Sequence, residues 1–139
     1  MTGIVERAQA LALRAHAGQT DKAGEPYVGH LARVAARVAD DPIACAMAWL
    51  HDLEEDQPGF AGELAGFPAE IREGVHLLNR NGKSAEAYYA GIRACPRVLR
   101  VKCADLDDNS AEDRLSRLPS DTADRLRAKY AKARQLLGL

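Results

Sequence analysis

Apolar positions recur along the chain at helical spacing and almost never in strict alternation. Ile4, Ala8, Leu11 and Ala15 form one stripe, with Thr2 placed to cap it, and Leu31, Val34, Ala35 and Val38 form a second. Asp41 followed by Pro42 has the form of a cap and a first helical residue. The apolar run behind it predicts a third helix over 43–55, buried on most sides. Pro68 opens a helix carrying Ile71, Val75 and Leu78, and Ser84 caps another that runs to Ala94. Pro96 begins a helix with Val98, Val101 and Asp105 on one face; Pro119 and Ser120 precede a last stripe of Leu126, Tyr130, Ala133 and Leu137. "GQTDKAGEP" (18–26) and "NRNGKS" (79–84) read as a loop and a turn, and "QPGF" (57–60) opens a surface segment. "VLRV" alone would pass as a strand, but the spacing through Asp105 favours helix. The pattern predicts an all-α fold, a compact helical bundle in a single domain spanning 1–139.

Composition narrows the function without naming it. Of the 139 residues, 47% are hydrophobic and 28% charged, which is the balance of a globular chain. A net charge of -1 and 5% aromatics provide neither a phosphate track nor stacking platforms, so nucleic acid is not an expected partner. No apolar run reaches the ~20 residues needed to span a bilayer, so a membrane is not expected either. Cys45, Cys95 and Cys103 form no CxxC and sit among apolar neighbours, which predicts reduced, buried thiols in a cytoplasmic protein. The N-terminus reads as the start of a helix rather than a targeting segment. Charge is uneven, however. Residues 114–134 hold seven bases against two acids, a stretch that reads as a solvated helix face.

The candidate chemistry lies where the most apolar helix ends, in "WLHDLEED" (49–56). His51 shares a face with Met47 and Ala48 and turns toward the core, with Asp52 about 100° round the axis. Glu55 and Asp56 lie on Asp52's side, while Glu54 turns away toward water. Four carboxylates at a helix C-terminus have the wrong sign for its dipole, each costing about 0.3–1 kcal/mol, and a cation reverses that penalty. His30 falls on the buried face of its helix and Asp105 on that of another, an odd place for an unpaired carboxylate. Two histidines and two aspartates from three helices suit a divalent ion with positions open for water and substrate. The competing readings are a salt bridge from Asp105 to Arg14 or Lys102, and ordinary hydrogen-bonded core histidines at His16 and His76.

Three segments in order, "HAGQ" with "KAGEPYVGH" (16–19 and 22–30), "WLHDLEED" (49–56) and "VKCADLDDN" (101–109), resemble the signatures of HD-domain phosphohydrolases. The resemblance is strongest to the hydrolase domain of RelA/SpoT-type alarmone enzymes and their small stand-alone relatives. It extends to the tail, where "RLRAKYAKARQLL" is similar to the closing helices of small HD proteins. It implies metal ligands at His30, His51, Asp52 and Asp105, usually for Mn²⁺, and a catalytic acidic pair at Glu55 and Asp56. It further implies Asn109 near a nucleotide sugar and Lys22 facing substrate phosphates; His16, Gly18, Gln19 and Tyr27 match as mainly structural positions. The chain departs from the pattern at Asp21, where alarmone hydrolases usually place an arginine against guanine, and at Ala23 and Glu112. Thr20-Asp21-Lys22 nevertheless matches the small stand-alone branch.

The reaction this implies is hydrolysis of a phosphate ester or pyrophosphate on a nucleotide, with (p)ppGpp 3′-pyrophosphate removal favoured. Glu55 or Asp56 would orient and deprotonate the attacking water. Lys22, with Arg14 or Lys83, would neutralise phosphate charge, and Tyr88 would wall a base pocket or simply fill the core. The alternatives are a nucleotidase or phosphatase on another nucleotide, NADPH included, and a sensor that binds nucleotide without cleaving it. The intact Glu55-Asp56 pair weighs against the sensor. The length leaves no room for a synthetase domain, and the residues leave the oligomeric state, homodimer included, open.

Overall fold

The computed structural model describes residues 3–139, so the expected Thr2 cap lies outside the described residues. Nine α-helices follow one another among them: α1 (Ile4–Ala15), α2 (Tyr27–Arg37), α3 (Pro42–Leu50), α4 (Leu53–Asp56), α5 (Ala69–Leu78), α6 (Ala85–Arg93), α7 (Pro96–Asn109), α8 (Glu112–Leu115) and α9 (Ser120–Leu136). Pro58–Gly66 forms a run of 3-10 turns, and no strand occurs among the described residues, only a single antiparallel bridge between Thr20 and Pro26. The fold is all-α.

α3 is the axis of the assembly, packing against α1, α2, α5 and α7. That position explains its composition, since a helix surrounded on every side has no face left for polar groups. Ala44 to Leu50 are buried without exception. The Asp41 carboxylate accepts from the Ile43 and Ala44 amides at 3.1 and 3.2 Å, and Pro42 needs no hydrogen bond at the first helical position. α5 approaches so closely that a Cβ on Gly74 would collide with the Met47 methyl. The Ser84 hydroxyl caps α6 by accepting from the Ala87 amide at 3.1 Å. Leu115, Ala123 and Leu126 form a smaller cluster joining α8 to α9.

Three expectations need correction. The helix predicted over 43–55 stops at Leu50, turns through His51 and Asp52, and restarts as the short α4. Of the three cysteines only Cys45 is buried, Cys95 and Cys103 being half-buried; all three are free thiols. The segment opened by "QPGF" buries Leu64 and is therefore not wholly surface. No helix among the described residues is long and apolar enough to cross a membrane.

Candidate metal centre and substrate cleft

Three helices deliver the candidate ligands to one point. His30 comes from α2, His51 and Asp52 from the turn that ends α3, and Asp105 from the middle of α7. One nitrogen or oxygen from each lies within 4.8 Å of the others. The helices meet there because their apolar faces bury Leu31, Val34, Leu50, Val98 and Val101 in one core, and each polar residue continues its helix's buried face.

The imidazoles are fixed by what their far nitrogens do. His51 Nδ1 donates to the Ala48 carbonyl at 2.6 Å, and His30 Nδ1 donates to Asp108 Oδ2 at 2.6 Å. Both Nε2 atoms consequently aim at Asp105 Oδ1, at 2.9 Å from His30 and 3.2 Å from His51; His51 Nε2 also lies 3.1 Å from Asp52 Oδ2. Lone pairs of two neutral imidazoles pointing at carboxylate oxygens require a positive charge between them. Protonation supplies one and a divalent cation supplies another, so this donor set fits a metal ion. The electrostatics have the same sense. Burial alone would lower His51, but the Asp52 and Asp105 charges outweigh it and raise its pKa well above the usual value. Burial would raise Asp105, yet the Lys102 ammonium and His51 hold it well below the carboxylate range.

A cavity of about 390 Å³ opens over this point and brings in the other expected residues. Asp52, Glu55, Asp56, Asp105, Lys22, Asn109 and Tyr88 all line it. Asn109 Nδ2 donates to Asp105 Oδ1 at 3.1 Å. Burial, with the charge of Asp52, raises the pKa of Glu55, whose Oε1 accepts from the Arg80 amide at 2.9 Å. Asp56, open to solvent on one side, is likewise raised, first by the desolvating cleft wall and then by Asp52. Tyr88 is buried and lies with Lys102 over its ring at 5.7 Å.

Other expectations did not come together. Glu54 does not face open water: it accepts from His76 and from Asn79 at 2.9 Å each. Arg14 pairs with Glu63 at 2.7 Å and stands away from the cavity, and Lys83 donates to the His76 carbonyl rather than lining it. Of the two salt-bridge partners considered for Asp105, Lys102 is the one found, at 3.0 Å, beside its contacts with His30, His51 and Asn109. The dipole reasoning also changes, because Glu54, Glu55 and Asp56 occupy the opening turn of α4 and only Asp52 extends the end of α3. In so short a helix the macrodipole decides little, and the convergence of the donor atoms carries the inference instead.

Several participants were given no part in the site from sequence, Tyr27 and Gln19 having matched only as mainly structural positions. The Tyr27 hydroxyl donates to Asp52 Oδ2, fixing the carboxylate that follows His51. Gln19 links His16 to the acidic pair: its Oε1 accepts from His16 Nδ1 at 2.7 Å and from Gln57 at 3.0 Å, which turns its Nε2 toward Asp56 at 3.1 Å. Both residues stood inside the first motif, which was the available signal. Asp108 is buried and, although burial would raise it, its bonds to His30 and Arg33 bring its pKa down to about 2. Its place three residues after Asp105 put it on the same helix side. Arg80 and Lys129 line the cavity too, from a segment read as a turn and from a helix face read as solvated. Asp21 is bound to its own loop and to Arg114, and Glu112 pairs with Arg127 at 2.8 Å.

Comparison with known proteins agrees with the motifs. No family model matches. A guanosine-3′,5′-bis(diphosphate) 3′-pyrophosphohydrolase from Haemophilus influenzae is 34% identical over 113 residues, covering 72% of this chain and 17% of that protein. The bifunctional (p)ppGpp synthase/hydrolase SpoT of Escherichia coli is 34% identical over 121 residues, covering 76% and 17%. A probable GTP pyrophosphokinase from Mycobacterium leprae is 29% identical over 116 residues, covering 73% and 15%. The matched segment is thus less than a fifth of these relatives. Within that extent, the chain is a homologue of RelA/SpoT-type proteins, and its motifs and helical fold are those of an HD-type domain.

Proposed function

We propose that the chain is a metal-dependent phosphohydrolase, acting as one domain, that removes pyrophosphate from the 3′ position of (p)ppGpp. The observation that supports it best is the convergence of His30, His51, Asp52 and Asp105 donor atoms within 4.8 Å, beneath a cavity that also holds Glu55 and Asp56. When bound to those four residues, a divalent ion such as Mn²⁺ supplies Lewis acidity at the phosphoryl group and makes water more acidic. The protein's own groups do the rest. Glu55, with its raised pKa, takes the proton from the attacking water, and Gln19 keeps Asp56 turned to assist. Lys22, Arg80 and Lys129 draw the phosphate oxygens into the cleft and offset the charge that spreads at the transition state. Tyr27 and Asp108 hold Asp52 and His30 in place throughout.

One observation favours a broader substrate range. The Asp21 carboxylate is consumed by Arg114 and by loop amides, so no loop arginine is offered to a guanine base. Beside Lys22 and Asn109 the cleft continues over Leu115, Leu118, Leu126 and Tyr130, an apolar wall that accepts any flat base. The second reading is therefore hydrolysis of another nucleotide's phosphate. Turnover of ppGpp and of a nucleotide panel, NADPH included, with Mn²⁺ separates the two: pyrophosphate release from ppGpp supports the first, orthophosphate from another nucleotide the second. Wild-type protein that neither binds a divalent metal nor turns over any of these would sink both.

A further inference from the structure

The cleft loop and the metal centre share one guanidinium. Asp21 sits in the loop between α1 and α2, one residue before Lys22, and both its oxygens are committed. Oδ1 accepts from the Ala23 and Glu25 amides at 2.9 Å each, and Oδ2 accepts from Arg114 Nη2 at 2.8 Å. The other terminal nitrogen of Arg114 donates to Asp108 Oδ2 at 2.6 Å. That same oxygen receives His30 Nδ1 at 2.6 Å, while Asp108 Oδ1 receives Arg33 Nε at 2.7 Å. The chain of contacts runs without a gap from the loop to a candidate metal ligand. Its members are sheltered, with side-chain exposures of 9% for Asp21, 20% for Arg114 and 2% for Asp108.

Resting on the metal-dependent reading above, we propose that Arg114 is a positioning residue that locks the Lys22 loop to the orientation of the His30 imidazole. A guanidinium suits this task because its two terminal nitrogens donate in separate fixed directions, whereas an ammonium is a single point charge on a flexible stem. The carboxylate at position 21 draws its counter-charge from α8 and is neutralised inside the protein, so the loop has one registry relative to α7. The bond from Asp108 keeps the proton on Nδ1 of His30 and leaves Nε2 free for the metal. Loss of Arg114 therefore loosens both ends, while loss of the Asp21 charge loosens the loop alone.

The test compares Arg114→Lys, Asp21→Asn and, as a surface control, Arg127→Gln, which breaks only the exposed pairs with Glu112 and Asp124. Mn²⁺ affinity is measured by titration calorimetry without substrate, and kcat and KM on whichever nucleotide the wild type hydrolyses. Arg114→Lys is expected to weaken Mn²⁺ about tenfold or more, the usual scale for groups that orient a metal-bound histidine, and to raise KM. Asp21→Asn is expected to raise KM with Mn²⁺ affinity preserved, and Arg127→Gln to change neither. Wild-type affinity and KM in Arg114→Lys overturn the proposal. Should that variant not fold, Asp21→Asn decides: a KM rise at constant Mn²⁺ affinity upholds the lock, and an unchanged KM overturns it. A wild type that binds no Mn²⁺ removes the metal-dependent reading first, and this inference with it.

Discussion

The floor and the rim of the cleft are built on opposite plans. On the floor, every candidate ligand is held by partners of its own: His51 by a backbone carbonyl, His30 by Asp108, Asp52 by Tyr27, and Asp105 by Lys102 and Asn109. At the rim, Lys22, Arg80 and Lys129 are exposed, and none forms an ion pair among the described residues. Arg80 rests only over the Tyr88 and Tyr89 rings, 5.5 and 5.6 Å from their centres. Lys129 is pushed down by desolvation and by the neighbouring charges of Lys22, Lys102 and Arg80. The difference assigns a division of labour. On the proposed function, the groups that hold the metal are over-determined, and the groups that would meet the substrate's phosphates are left with their charge unspent.

The largest expected effect breaks the floor. Asp52→Ala and Asp105→Ala remove a candidate ligand each; Mn²⁺ binding should disappear from calorimetry and turnover fall by about 10³-fold or more. Glu55→Ala spares all four donor residues, so Mn²⁺ affinity should persist while kcat falls by about 10²–10⁴-fold, the usual contribution of a general base. Equal loss of metal in Glu55→Ala would erase the distinction between ligand and base.

The rim should behave differently. Lys22→Ala, Arg80→Ala and Lys129→Ala should each raise KM by about tenfold, or ~1.4 kcal/mol, without altering Mn²⁺ affinity. Wild-type KM should climb with ionic strength and the triple variant's should be nearly flat, because screening acts on exposed charges. A KM independent of salt in the wild type would show that these cations do not meet the substrate.

The smallest effect concerns acid stability. Burial alone would raise Asp21, but its loop amides and Arg114 prevail and hold its pKa below the ordinary aspartate value. A carboxylate depressed in the folded state stabilises above its unfolded pKa and loses that contribution as pH falls through the folded value. Denaturant midpoints of wild type and Asp21→Asn should therefore converge as pH drops below about 4, with the wild type more stable above it. A constant gap across that range would mean the Asp21 pairing adds nothing to folding.

The helices were legible because each buries a stripe, and 3.6-residue spacing registers a stripe whatever it packs against. The stop after Leu50 was not, since Leu53 keeps the apolar pattern going while the backbone turns. His30 and Asp105 stood out as polar residues on apolar faces, and their meeting with His51 is a matter of helix packing that local spacing only suggests. Lys129 and Arg80 left no local trace. Whether a lysine on an amphipathic helix meets water or a cleft depends on how the last helix lies across the others, and that is set by contacts such as Leu126 with Leu115.

The burial of α3 from Ala44 to Leu50 has a consequence for anyone who would redesign this protein. A helix gripped on all sides has one angular setting, and His51 and Asp52 hang from its final turn like the pointer on a dial. Adding or deleting a residue upstream would swing that pointer by about 100°, so the length of α3 is as much a part of the chemistry as the residues at its tip.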